Sequence, residues 1–490
     1  MKFPFVAAWL AGVSPAFAAD PALTVYNQNF AVVREVVPLD LQAGVTQVKF
    51  TGATERVEAS SVILRDPAGK VPFSVLEQNY RNDPVSEGLL LSLNEGKTIG
   101  FLVHELNKPD RTVQGKIIRS GYQPGMQRLY QMGLPPLSQP IIEVEGLLRF
   151  SLPGQPLFPA LGGDTILKPT LSWQIASERP AKLDAELSYI TKGLSWLADY
   201  NIVAPEKGDL LDLVGWVTIE NKSGKTFTNA HLKLIAGDVR KEQDEEELDA
   251  DARIPGTAGA PLAAPAPNVT EKTFDEYHLY NLARPSTLHD RETKQVEFIR
   301  AAQVPSQRLY IYDGLRSSPQ YRGYGAEQLR EDPGYGTDSN PKVWVMREFK
   351  NSEANHLGMP LPAGRVRFYR QDGESVEFTG ENKIDHTAKD ETLRIYTGDA
   401  FDIVGERKRT NFQVDNANHM ADESFEIKLR NHKREPVEVR VVEHLYRWVN
   451  WVIKKRSAPF TKTDSQAMEF RVTLKPDEER VVTYDVHYSW

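Results

Sequence analysis

The feature that most limits the fold of this chain is period-two alternation, which runs through most of its length. Leu183, Ala185, Leu187 and Tyr189 alternate with Asp184, Glu186 and Ser188, and after Thr191-Lys192-Gly193 the apolar phase resumes at Leu194, Trp196, Ala198, Tyr200 and Ile202. Successive strand residues face opposite sides of a sheet, so this stretch is predicted to be a hairpin with one buried face. Phe425, Ile427 and Leu429 alternate with charged residues before the turn 431–436, and Val437, Val439 and Val441 follow it. Val482, Tyr484, Val486, Tyr488 and Trp490 keep the same rhythm. Helix-period stretches are scarce. The predicted class is mostly β, with a small β domain, a small β barrel and β-sandwich modules in tandem.

At about 150 residues per domain, 490 residues suggest roughly three domains. The strand rhythm divides the chain into an N-terminal β domain over 19–85, a small barrel-like domain over 86–165 and a sandwich region over 166–490. Two stretches of that region look alike, Trp216-Val217-Thr218-Ile219-Glu220-Asn221 and Phe425-Glu426-Ile427-Lys428-Leu429-Arg430-Asn431. Each is a strand ending in Asn, followed by a charged turn and another strand. Two breaks interrupt the region. Residues 242–251 hold seven acidic residues in ten, and 254–267 are mainly Ala, Pro and Gly. Neither part can bury enough apolar surface to offset its ordering entropy, so 240–270 is expected to be a disordered, dispensable insertion. The stretch 314–341, rich in Gly, Tyr, Pro and Ser, is expected to be a long surface loop whose tyrosines either pack on the domain or face a partner.

Residues 1–18 read as a secretory signal. Lys2 is a minimal cationic start, an apolar stretch follows, and Ala16-Phe17-Ala18 is a small-x-small cleavage site. Cleavage is expected between Ala18 and Ala19, leaving a mature chain without a transmembrane segment. Lys+Arg 59 against Asp+Glu 67 is a balance that argues against nucleic acid as the main partner. The chain has no cysteine, which removes disulfides, thiolate metal sites and cysteine nucleophiles together.

The runs Leu187-Ser188-Tyr189, Gly193-Leu194-Ser195-Trp196, Ala198-Asp199-Tyr200, Trp216 to Asn221 and Ala236-Gly237-Asp238-Val239 resemble a family of secreted bacterial proteins. The C-terminal Thr483-Tyr484-Asp485-Val486 and Trp490 fit as well. The family is the domain of unknown function 4139, also met in mucoidy-inhibitor-type proteins, and the likeness covers roughly 166–490. It implies an exported, β-rich, periplasmic or otherwise secreted envelope protein, and it transfers no catalytic residue.

No motif of established chemistry is complete. His104-Glu105-Leu106-Asn107-Lys108 starts like a zinc-protease helix but has Lys108 where the second His is needed. Gly96-Lys97-Thr98 and Gly224-Lys225-Thr226 lack the upstream glycine of a phosphate loop, since positions 91 and 219 are Leu and Ile. Asp415, His419 and Asp422 are close enough in sequence to raise a cation site, with a solvated loop as the plain account. The reading therefore assigns no catalytic residue, no metal and no cofactor. Two candidate binding features remain. Asp199 lies near Trp196 and Tyr200, although alternation sends it to the polar face and the rings to the core. Tyr446 and Trp448 share one phase and Trp451 the other, so one face is either a ligand platform or a packing surface. The expected function is a non-catalytic envelope binding or scaffold protein, partnered by an envelope protein or a cell-wall glycan. The alternative is an envelope-polymer hydrolase with an unrecognised site.

Overall fold

The computed structural model describes residues 20–83, 85–104, 109–122, 139–160, 166–237, 239, 269–274, 276–316 and 319–490. The protein is mostly β, and among the described residues its α-helices are two short pieces, Glu87–Leu93 and Ala326–Glu331. The export signal with its Ala18/Ala19 junction, the stretch 105–108 and all but the last two residues of the 240–270 insertion lie outside the described residues. Those last two, Val269 and Thr270, open the strand Val269–Phe274, which forms a hairpin with Tyr277–Leu282. The chain divides into two compact units, residues 1–195, 220–233 and 284–293 forming the first and 196–219, 234–283 and 294–490 the second.

In the first unit the strand Phe30–Leu41 pairs antiparallel with Ala22–Tyr26 on one side. On the other it pairs with Ala181–Lys192 over its whole length, Phe30 opposite Lys192 and Leu41 opposite Ala181. A three-stranded sheet sets Thr170–Ser177 between Gly44–Thr51 and Ser74–Arg81. Residues 22–81 and 170–192, read from the sequence as separate modules, are joined by these pairings. Between them in sequence lies a five-stranded sheet whose edges are Gln155–Leu157 and Leu147–Arg149. Its core is Leu91, Ile99, Phe101, Ile117, Ile142 and Val144. Gly115 is required there, because a Cβ would come within 2.8 Å of the Phe101 ring and 2.9 Å of Ile142.

The second unit contains most of a five-stranded sheet in the order Glu292–Pro305, Leu210–Asn221, Leu194–Ala204, Gly364–Asp372, Ser375–Ile384. It also contains a continuous nine-stranded sheet running from Trp451–Arg456 to Phe460–Asp464 at its edges. The 24-residue strand Thr392–Asp415 sits near its middle, pairing with Lys342–Lys350 by its first half and Met420–Asn431 by its second. The sheet curls on itself. Phe470 and Tyr484, from strands far apart in the sheet order, meet with ring centroids 5.9 Å apart in one core.

The hairpin expected over 183–202 is not formed. Ala181–Lys192 pairs with Phe30–Leu41, whereas Leu194–Ala204 pairs in parallel with Gly364–Asp372. Gly193, at φ +86°, turns the corner, and Lys222 N donates to its carbonyl at 2.6 Å. Likewise Met420–Asn431 and Val437–His444 lie apart in the nine-stranded order. Alternation reports which phase is buried, and an arch that carries the chain to another set of partners preserves that phase as well as a hairpin does.

The two similar stretches end in the same device. Asn431 is 1% exposed; its Oδ1 accepts from Lys433 N, and its Nδ2 donates to the carbonyls of Glu435 and Lys475 at 3.0 and 2.9 Å. Asn221 is 0% exposed; its Oδ1 accepts from Ser223 N and Oγ, and its Nδ2 donates to the carbonyls of Lys225 and His289 at 2.8 and 3.0 Å. In both, the partners within the turn are two and four residues on. An arch strips its turn of ladder partners, and a buried carboxamide with two donors and an acceptor replaces them.

Candidate functional site

Asp199 lies on the central strand Leu194–Ala204 and is only 8% exposed, although alternation placed it on an outer face. The strand has neighbours on both sides, and their side chains cover and partner the carboxylate. Thr218 Oγ1 donates to it at 2.8 Å and Arg367 Nη1 stands at 3.4 Å. The nearby rings point into the core with their polar ends satisfied: Trp196 Nε1 donates to Ile235 O and the Tyr200 hydroxyl to Pro362 O. Asp199 is thus an internal tie in a sheet.

The other three candidates gather at one end of the nine-stranded sheet. Tyr446 and Trp448 are in the connection after Val437–His444, and Trp451 begins the strand Trp451–Arg456. All three pack against the core of that sheet. The stretch 319–337 lies over them. Its Tyr335 ring sits edge-on to Tyr446 at 5.0 Å, and Tyr321 packs edge-on to Tyr335 at 5.0 Å. Arg330 stands 4.5 Å from the Trp448 ring and 4.9 Å from that of Trp490. The expected loop is therefore fastened, and three arginines do most of the fastening. Arg447 donates to the carbonyls of Leu329, Arg330, Asp332 and Tyr335, Arg407 to that of Gly336, and Arg409 to those of Tyr335 and Pro333.

Two buried carboxylates balance these cations. Glu443 takes Arg407 Nε at 2.9 Å and the Tyr484 hydroxyl at 2.6 Å, with both charged side chains 1% exposed. Glu423 Oε1 lies 2.8 Å from Arg447 Nε and 3.2 Å from Arg409 Nη1. Burial is the main cause that pushes the Tyr446, Tyr484 and Tyr488 hydroxyls well above the ordinary phenol range, which keeps them neutral.

Beside this network is an open concavity of about 540 Å³ lined by His444, Tyr446 and the turn Asp464–Ala467. His444 Nε2 is 2.8 Å from Asp313 Oδ2. The hydrogen bond to Asp313 holds the imidazole above its ordinary value of 6.5, against the opposing effect of burial. A raised folded pKa means that the pair's stabilisation is fully present below the unfolded value of about 6.5 and is lost as pH rises through the folded value. Wild-type chain is therefore expected to exceed His444→Gln in melting temperature by more at pH 5.5 than at pH 8.5. An equal gap at both pH values in parallel melts would show that the pair does not titrate.

Asp415, His419 and Asp422 do not converge. Asp415 accepts from Asn418, Asp422 pairs with His487 at 2.8 Å, and among the described residues no group of three or more candidate ligands could hold a metal. Among the same residues no helix is long and apolar enough to cross a membrane. Sequence reasoning missed Asp313, Arg407, Glu423, Glu443 and Arg447. The available signal was a charge on the apolar phase of a strand: Glu423 continues Leu429, Ile427 and Phe425, and Glu443 continues Val437, Val439 and Val441.

The model of a protein family, described as a domain of unknown function (DUF4139), matches residues 185–490. No curated protein and no solved structure matches the chain.

Proposed function

We propose that this chain, which belongs to the DUF4139 family, is an exported, non-catalytic binding or scaffold protein of the bacterial cell envelope. The observation that carries the reading is the internal use of charge at the aromatic end of the nine-stranded sheet. Arg407, Arg409, Arg447, Glu423 and Glu443 engage one another and the carbonyls of 329–336, a use that suits a rigid platform. Open to solvent beside them is the polar concavity at His444, Tyr446 and Gln466. Rigid aromatic and amide groups at the rim of a concavity recognise a partner at low entropic cost. Export is supported by Lys2, the apolar stretch and Ala16-Phe17-Ala18. The partner class is another envelope protein or a cell-wall glycan.

A photo-crosslinking residue at Ser465 in living cells is expected to trap a partner, while one at exposed Lys389 traps none. Equal trapping at both positions, or at neither, would overturn the assignment of this face. The Asp313–His444 pair favours one second reading, a hydrolase of envelope polymers, because a carboxylate-held imidazole is the usual orientation device of a general base. Release of soluble fragments from purified peptidoglycan, abolished by His444→Ala, would establish that reading instead.

A further inference from the structure

A second concavity of the same unit has a different chemistry. It encloses about 440 Å³ between the strands Gln307–Asp313, Lys342–Lys350, Gly364–Asp372 and Thr392–Asp415. Four cations line it, Arg308, Arg347, Arg370 and Lys433. Their protein partners are few. Asp209 serves both Arg347 and Arg308, the second at 3.6 Å, and Arg347 Nη1 also donates to Ser306 Oγ at 3.3 Å. Arg370 donates to a backbone carbonyl, that of Glu206. Lys433 stands 3.8 Å from Glu435. Of the two carboxylates in the lining, Asp399 is taken by Lys342 at 2.7 Å, and Asp402 is exposed. Arg347 is 4% exposed, and burial together with Arg308 and Arg370 pushes its guanidinium below the ordinary value, against the opposing effect of Asp209. Gathering like charges around a nearly buried guanidinium is unfavourable unless an anion completes the set. The walls are also apolar in part. Tyr369 lines the cleft with Phe378 edge-on to it at 5.8 Å, and Phe401, at 95% exposure, stands at the rim. An exposed aromatic beside planar, two-pronged donors suits a ligand with an anionic end and an apolar body.

We propose that this cleft binds a small organic dianion, a phosphomonoester or a dicarboxylate. Its charged end is held by Arg308, Arg347 and Arg370, and its body rests against Tyr369 and Phe401. The assignment stands apart from the concavity at His444.

The full chain is titrated calorimetrically with phenyl phosphate, phthalate, inorganic phosphate, a polyglutamate peptide and neutral benzyl alcohol. Phenyl phosphate or phthalate is expected to bind with Kd below about 1 mM, and the preferred one identifies the headgroup. The same probe is expected to raise the melting temperature with concentration. Arg308→Gln/Arg370→Gln, which leaves buried Arg347 and Asp209 in place, should weaken binding roughly tenfold or more. Phe401→Ala, at a side chain too exposed to matter for folding, should weaken phenyl phosphate roughly threefold and leave inorganic phosphate unchanged. This variant decides the matter if the double variant does not fold. No heat and no thermal shift at 10 mM of either organic anion would overturn the proposal. So would unchanged affinity in the variants, or binding of polyglutamate alone, which would make the cleft a protein-docking surface. Phenol release on the bound probe would support the cleft while overturning the non-catalytic reading above.

Discussion

Arg407→Ala is expected to lower the stability of the second unit by about 3–5 kcal/mol, the usual cost of leaving a buried ion without its partner. The guanidinium and the Glu443 carboxylate are both 1% exposed, and Arg407 also holds Gly336 O at 2.7 Å. Removing it leaves Glu443 with the Tyr484 hydroxyl as its remaining hydrogen-bond donor and frees one of the carbonyls that fasten the overlying stretch. At about 2–4 °C per kcal/mol for a unit of this size, the melting temperature should fall by roughly 10 °C. Protease sites in 319–337 should open in the same variant. The companion is Arg407→Met with Glu443→Leu, which removes both charges and fills the volume with apolar side chains. Such replacements are often neutral, so the pair should regain much of the loss despite an unpartnered Tyr484 hydroxyl. A single variant within 1 kcal/mol of wild type in urea unfolding would mean that water reaches Glu443.

This network shows what alternation carries and what it hides. The inward phase of Met420–Asn431 is legible as Ala421, Phe425, Ile427 and Leu429, and all four are buried. Glu423 breaks that phase in sequence, and a carboxylate there has to be paired because an isolated charge in the interior costs too much. The need for a partner can be read from one strand; the partner's identity cannot. Arg409 comes from the strand paired with Glu423's own, 14 residues away, whereas Arg447 lies beyond Val437–His444 and is brought there by the curl of the sheet. The packing of 319–337 is hidden in the sequence for the related reason that distant guanidiniums impose it. Its own composition offers little apolar area, and its backbone carbonyls are satisfied from outside. Asp199 marks a second limit. Period-two logic assumes one wet face, and on the central strand of a five-stranded sheet Thr218 and Arg367 close over the supposedly wet one.

At the asparagine arches a short sequence likeness corresponds to a repeated geometry, and Asn431 and Asn221 are expected to be comparably costly to remove. Asn431→Ala removes one acceptor and two donors at once, leaving Lys433 N and the carbonyls of Glu435 and Lys475 without side-chain partners. Each buried polar group left unpaired costs about 1–3 kcal/mol, and water entering the gap recovers part of that, so a loss of about 3 kcal/mol is expected. Asn221→Ala should cost a similar amount in the first unit, since its amide meets the carbonyls of Lys225, Leu288 and His289. Asn431→Asp separates shape from bonding. It keeps the volume but turns a donor toward two carbonyls into a negative charge facing them, and it should therefore cost more than alanine above pH 5. Half-buried Asn355, whose donation to Lys350 O is open to solvent, is the control: Asn355→Ala should stay within about 0.5 kcal/mol of wild type. Urea unfolding of the four variants orders them. If Asn431→Ala were no worse than Asn355→Ala, the carboxamide would be incidental and the turns would hold without it. If Asn431→Asp were milder than alanine, the arch would depend on filled volume instead of on the donors that match its stripped carbonyls.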